Sequence, residues 1–407
     1  MGKGNFKSVA ATGKNEMLIK RKGDLHQRKN EIRSPFARDY TRILHSLAYR
    51  RLKHKTQVFF NIENDHICTR MEHVAHVESI SSTIARYLGL NTELTKAISI
   101  GHDLGHAPFG HHGEKIIREL TGKYLGYEFW HEKNGLRFVD EIELLENDYK
   151  VYKNLNLTYA VRDGIISHCG ELDENGLKPR NDFLDLNQFN KPGEYQPITW
   201  EGCIVKVADK IAYIGRDIED ALCLGFLSDE VQNLLTVMAR VHDERALNNT
   251  VIIQNLIMDI CKSSSPEDGI RLSDNYFKQI NEIKRFNYQY IYDHPRLRAF
   301  KDYAAMIIRN IFNTLLEAYD GSHTWNKLNE LNSSPTLVSS FSKWLARYCN
   351  KEIVPKGELK DLSLWCENTK IYSDLETEEI YIQAILDYIA GMTDRFAIKI
   401  FNEFLVY

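Results

Sequence analysis

No run of apolar residues in this chain approaches the length of a bilayer span, so no membrane-crossing helix is expected. The first thirty residues are polar and basic and lack the apolar stretch of a secretory leader, so no signal peptide is expected either. Cysteine is sparse and unpatterned. The seven residues at 68, 169, 203, 223, 261, 349 and 366 are odd in number and contain no CxxC pair. That spacing speaks against a disulfide framework or a thiolate zinc site and for reduced thiols in a cytoplasmic protein. There is no excess of positive charge. With a net charge of -4 the chain has no global attraction for nucleic acid or an anionic membrane, so an anionic ligand needs a local basic pocket. Internal repeats, low-complexity tracts and a βαβ rhythm are also missing, which excludes solenoid, disordered and doubly wound folds.

What the sequence has is helical periodicity over most of a length of 407 residues, enough for one large domain or two packed ones. Tyr40, Ile43, Leu44, Leu47 and Ala48 recur at three- and four-residue steps, as do Val74, Val77, Ile80, Ile84 and Leu88. Gly89 is placed to end the second of these helices, and Thr92 to start the next. Residues 57–64 are the best short strand or turn candidate, and 141–148 reads as an exposed acidic helix. The stretch 171–197 is rich in Asn, Asp, Gly and Pro and reads as a surface excursion. Residues 200–224 form one long helix, and the C-terminal third alternates helices with polar loops. The expected fold is all-α with at most a small β ribbon. It comprises a mobile arm over 1–30, a catalytic core over 31–230 and a helical region over 231–407.

The chain is organised around residues 100–114, which pack four histidines and two carboxylates into fifteen positions. A hydrophobic core has no use for that mixture. Pro108 forbids a continuous helix. His102 and Asp103 should therefore end one helix, with His106, His111 and Glu114 presented from a tight loop and the start of the next. His73 opens the preceding helix. Asp209 interrupts an apolar stretch (IVKVADKIAYI), where an unpaired carboxylate would cost roughly several kcal/mol unless a cation or hydrogen bonds compensate it. Asp209, Tyr213 and Asp217 stand at i, i+4 and i+8 and share one helix face. Two histidines and two aspartates make a hard donor set with open positions. It suits manganese, magnesium, iron, nickel or zinc without selecting among them.

These residues resemble the HD-domain phosphohydrolases, and more narrowly the deoxynucleoside triphosphate triphosphohydrolases of the dGTPase-like family. The superfamily pattern of a histidine, a His-Asp pair and a later aspartate carries over to His73, His102, Asp103 and Asp209 as metal ligands. Several further blocks are similar to the narrower family. They are the arginine-rich stretch 49–59, Arg70-x-x-His73, the loop His102 to Glu114, His131 after Phe129-Trp130, and Asp209-Lys-Ile-Ala-Tyr213 with Asp217. A weaker block covers 283–288. The resemblance spans roughly residues 33–295, and the last hundred residues match nothing specific.

The resemblance implies an HD-domain helical core and hydrolysis of a dNTP, dGTP above all, to deoxynucleoside and inorganic tripolyphosphate. It implies His111 as general acid/base, with His106 and His131 near the phosphates and Glu114 orienting a histidine. Arg70 and Lys210 would bind the triphosphate, and Gln57 and Val58 would sit at the sugar. Tyr213 would exclude a 2′-hydroxyl, Asp217 would bond the 3′-hydroxyl, and Lys284 and Tyr288 would contact base or phosphate. By the same likeness the chain is expected to form a dimer-based tetramer or hexamer, with a second, activating nucleotide and single-stranded DNA as possible partners. Another nucleotide substrate for the same HD site, or a nucleotide-binding regulator without turnover, are the alternatives. His112 is expected to face outward, and His54, His66, His168, His242, His294 and His323 carry no assigned role.

Overall fold

Thr69 starts the helix that carries His73. Its hydroxyl accepts the Glu72 amide and the Glu72 carboxylate accepts the Thr69 amide, a reciprocal cap that fixes the first turn of Arg70–Leu88. At the far end Gly89 takes the left-handed conformation at φ 86°, and a Cβ there would come within 2.9 Å of the Gly4 Cα. The next helix, Thr92–Gly101, is capped by Asn91, whose side chain accepts the amides of Glu93 and Leu94. The cap therefore sits one residue earlier than the sequence suggested, because Asn91 rather than Thr92 has the extended backbone a capping side chain needs.

The computed structural model describes residues 4–25, 30–59, 64, 66–146, 151–169, 174–240, 249–331, 335–356, 365–366 and 370–405, and His242 lies outside the described residues. Two compact units are built from interleaved segments rather than divided near residue 230. Residues 1–44, 57–103 and 157–298 make the first, and 45–56, 104–156 and 299–407 the second.

In the first unit, Arg70–Leu88 packs on Thr92–Gly101 and on the long helix Trp200–Cys223, with Tyr159–Ser167 against the latter two. Val77, Ile84, Ile98, Ile165, Ile204 and Ile211 close the core between them. The spacing at Gly101 is tight, since a Cβ would meet Ile165 and Ile43 at 3.0 and 3.1 Å. In place of a mobile arm, the described N-terminal residues are packed. Phe6 is fully buried edge-on against Trp200, the Gly4 and Phe6 amides bond the carbonyls of Tyr87 and Leu88, and Arg21 pairs with Asp39 at 2.6 Å. A basic, polar composition hid a buried aromatic anchor.

In the second unit, Gly110–Leu125 packs on Glu378–Ala390. A small sheet joins Leu144–Glu146 antiparallel to Val151–Asn154, with Trp365–Cys366 parallel to the latter. This sheet replaces most of the acidic helix expected over 141–148. Only Glu141 and Ile142 end a helical turn, Glu143 is buried against Arg51 and the Ala48 amide, and 147–148 lie outside the described residues. Of the strand candidate at 57–64, residues 57–59 make no ladder pairing and 60–63 lie outside the described residues. The fold is all-α with one small sheet. No described helix is long and apolar enough to cross a membrane.

Candidate metal centre and histidine cluster

The first unit brings His73, His102, Asp103 and Asp209 to one point. His73 Nε2 lies 2.9 Å from Asp209 Oδ1 and 4.0 Å from Asp103 Oδ2. His102 Nε2 lies 3.3 Å from Asp103 Oδ1 and 3.6 Å from Asp209 Oδ1. Three helices supply them: His73 stands in the first turn of one, His102 caps the end of the second, and Asp209 projects from the middle of Trp200–Cys223.

The donor chemistry fits a divalent cation. His102 Nδ1 donates to the Ser99 carbonyl at 2.6 Å, which fixes the ring and turns Nε2 toward the two carboxylates. That Nε2 is buried and has no hydrogen-bond partner among the described residues. Burial works against a charged His102, yet Asp103 and Asp209 outweigh it and raise its pKa to about 9. Burial would likewise raise Asp209, and the two imidazoles beside it, His102 at 3.6 Å and His73 hydrogen-bonded at 2.9 Å, reverse that and hold it well below the usual carboxylate range. Two anionic oxygens and two imidazoles thus make a pocket that favours added positive charge. Only Asp209 keeps some exposure, at 15% of its side chain.

Arg70 completes this group. Its guanidinium is 2% exposed and pairs Nη1 with Asp103 Oδ2 at 2.9 Å, while Nε and Nη2 have no partner among the described residues. Along Trp200–Cys223, Lys210 is buried and reaches Asn281 at 3.2 Å. Tyr213 is half-buried. Asp217 accepts the Tyr292 hydroxyl at 2.5 Å, and Tyr292 in turn meets Tyr288 edge-on at 5.1 Å. Lys284 and Tyr288 line one pocket with Asn281, so the Lys210 contact and this pocket share a residue. Gln57 and Val58 are half-buried, and Gln57 Oε1 is a buried acceptor without a partner among the described residues.

The second unit gathers His106, His111, Glu114 and His131. Gly105 permits the close approach: a Cβ would lie 2.1 Å from the Gly135 nitrogen and 2.2 Å from the His131 carbonyl. Phe109 then adopts φ 63°, and Gly110–Leu125 starts immediately after it. The rings of His106 and His131 lie 3.7 Å apart at 31°. Glu114 faces His131 Nδ1 at 3.0 Å, Arg118 at 2.9 Å and His111 Nδ1 at 3.8 Å. Burial disfavours its charge, but His131 and His111 hold the Glu114 carboxyl well below the ordinary value. His111 has a 65% exposed side chain and His112 is half-buried, the reverse of the exposure expected for this adjacent pair. The first helical turn still aims His111 at Glu114, three residues on.

Three contributors escaped the sequence reading, and a fourth, Lys55, lay without a role of its own inside the arginine-rich stretch 49–59. His168 is buried edge-on against His102, with ring centroids 4.9 Å apart. Tyr292 holds Asp217. Lys55 and Asp394 bind the backbone of the His106–Phe109 loop. A lone histidine at a helix end, a tyrosine in an aromatic run and an aspartate in an unmatched C-terminal region carry no local signal.

Residues 70–214 match the HD domain, and 270–327 with 369–403 match a phosphohydrolase-associated domain, which accounts for much of the C-terminal region that the sequence left unread. A deoxyguanosinetriphosphate triphosphohydrolase-like protein of Caldanaerobacter subterraneus subsp. tengcongensis is 31% identical over 379 residues, covering 93% of this chain and 86% of the relative. The like-named protein of Clostridium tetani is 30% identical over 94% of this chain and 88% of its own length, and that of Desulfatibacillum aliphaticivorans 36% over 75% and 80%. With its four candidate ligands converging in three dimensions and its similarity running nearly end to end, this chain belongs to the deoxyguanosinetriphosphate triphosphohydrolase-like family of HD-domain phosphohydrolases.

Proposed function

We propose that this chain hydrolyses deoxynucleoside triphosphates, dGTP most readily, at the α-phosphorus, releasing the deoxynucleoside and inorganic tripolyphosphate. The observation that carries the reading is the convergence of His73, His102, Asp103 and Asp209. A divalent cation in that set supplies a more acidic water and neutralises phosphate charge as it develops. The remaining work falls to the chain's own side chains. Arg70 has Nε and Nη2 available for phosphate oxygens, in the planar fork suited to them, and Lys210 adds a second positive charge. Gln57 Oε1 is an acceptor for a sugar hydroxyl, with Val58 beside it. Tyr213 fills the space a 2′-hydroxyl would need, and Asp217, steadied by Tyr292, accepts the 3′-hydroxyl. Lys284 and Tyr288 contact the base or the phosphate tail. His111 hands a proton to the leaving 5′ oxygen, with Glu114 holding His131 and His106 stacked beside it.

The same reading includes a cytoplasmic homo-oligomer whose activity responds to a second nucleotide, with single-stranded DNA as a further partner. Incubating purified protein and divalent metal with dNTPs, NTPs and cyclic nucleotides tests the substrate class, with product mass as the readout. Tripolyphosphate from dGTP is expected. Cleavage confined to ribonucleotides would overturn the role of Tyr213, and orthophosphate or pyrophosphate as product would overturn expulsion of the 5′ oxygen from the α-phosphorus.

A further inference from the structure

The second unit contains a cavity of 530 Å³ that shares no lining residue with the histidine cluster. Its volume is that of a small-molecule site. Aromatic rings form much of the wall: Phe138, Tyr348 and Tyr388 are buried, and Trp344 lies 4.9 Å from Tyr348 and 5.4 Å from Tyr388 between ring centroids.

The polar groups around it are accounted for in turn. Glu143 is held by Arg51 and by the Ala48 amide. Asp387 is paired with Arg137 at 2.7 Å and accepts the Tyr372 hydroxyl at 2.7 Å. The Tyr388 hydroxyl meets Ser340 at 2.6 Å, and that of Tyr348 donates to the Ile142 carbonyl at 2.6 Å. Arg347 differs. It is half-buried, lines the cavity, and its guanidinium has no ion pair or hydrogen bond among the described residues.

We propose that this cavity is a binding site for a planar aromatic monoanion. The rings offer stacking faces and apolar cover, and a partly desolvated guanidinium pairs with one carboxylate or sulfonate in a bidentate fork. A neutral ligand would leave Arg347 buried deeper and still unpaired, a cation would face it directly, and a multiply charged anion would bring charge that nothing here neutralises. The site stands apart from the proposed reaction and does not depend on it.

Fluorescence titration of the full chain with 8-anilinonaphthalene-1-sulfonate, an aromatic monoanion, tests the proposal. Saturable binding at one site per chain is expected, weakened at least tenfold by Arg347→Ala and partly recovered by Arg347→Lys. The uncharged N-phenyl-1-naphthylamine should bind at least tenfold more weakly and be indifferent to Arg347→Ala. If Arg347→Ala does not fold, by circular dichroism, Arg347→Gln keeps the stem, removes the charge and gives the same comparison. Equal affinity of wild type and the neutralised variant for the sulfonate, equally tight binding of the uncharged probe, or no saturable binding would overturn the assignment.

Discussion

Asp394 accepts the backbone amide of Phe109 at 2.8 Å, across 285 positions of sequence. Its other oxygen accepts the Thr56 amide and hydroxyl at 3.0 and 2.7 Å. Beside it the ammonium of Lys55, 2% exposed, donates to the carbonyls of His106 and Ala390. The loop that carries His106 is thus tied at one end, through Lys55, to the last residue of Glu378–Ala390 and at the other to the start of the C-terminal helix Asp394–Glu403. Phe109 sits in a left-handed conformation that costs a non-glycine residue about 1–2 kcal/mol, and the Asp394 bond offsets that cost.

Replacing Asp394 with alanine leaves the buried Phe109 amide without an acceptor, at about 1–3 kcal/mol, and removes the partner of the half-buried Thr56 donors. A lower melting temperature is expected, together with a fall in dGTP hydrolysis that persists in the folded fraction. Asp394→Asn, which keeps one acceptor, should recover part of both. A folded alanine variant with full turnover would show that the loop needs no such tie.

Glu114 holds His131 through Nδ1, and Glu114→Gln removes the charge while keeping the shape. By analogy with other groups that orient a functional histidine, kcat should drop by about 10–100-fold with little change in KM. Steady-state kinetics on dGTP distinguishes this from a binding defect. An unchanged kcat would end the positioning role of Glu114.

Asp209→Ala should abolish bound metal and reduce hydrolysis by more than about a hundredfold, beyond what loss of an outer contact costs. Metal content by mass spectrometry is the direct check. A variant that keeps wild-type stoichiometry removes Asp209 from the ligand set, whatever its activity. Chelation of the wild type followed by metal replenishment should remove and restore hydrolysis together.

Glu201 gives a pH dependence with a definite sign. One oxygen accepts the amides of Ala11 and Asn91 at 3.0 and 2.8 Å, and the other is buried without a partner among the described residues. Burial raises its pKa from 4.5 to about 6 despite those bonds. The folded state therefore holds this proton more tightly than the unfolded chain. Its contribution to stability is complete below pH 4.5 and is lost as pH rises through 6, amounting to about 2 kcal/mol. Glu201→Gln should flatten that part of the stability curve, measured by urea unfolding between pH 4 and 7. An identical slope in the variant would assign the dependence to another group.

The sequence by itself determined the helical class and singled out His73, His102, Asp103 and Asp209, the four side chains the structure brings together. Helix periodicity is local, and a histidine, a His-Asp pair and an aspartate inside an apolar helix are hard to account for without a cation. Pro108 likewise predicted the break that lets Gly110–Leu125 begin where it does. Only the tertiary structure decided how segments interleave into two units, that Phe6 anchors the N-terminal residues, and that Glu143 lies buried beside a small sheet rather than along an exposed helix. It also brought His168 to His102 and Asp394 to Phe109. Contacts across tens to hundreds of positions leave no spacing pattern in a single chain. A buried polar residue looks like a surface one until its distant partner is in place.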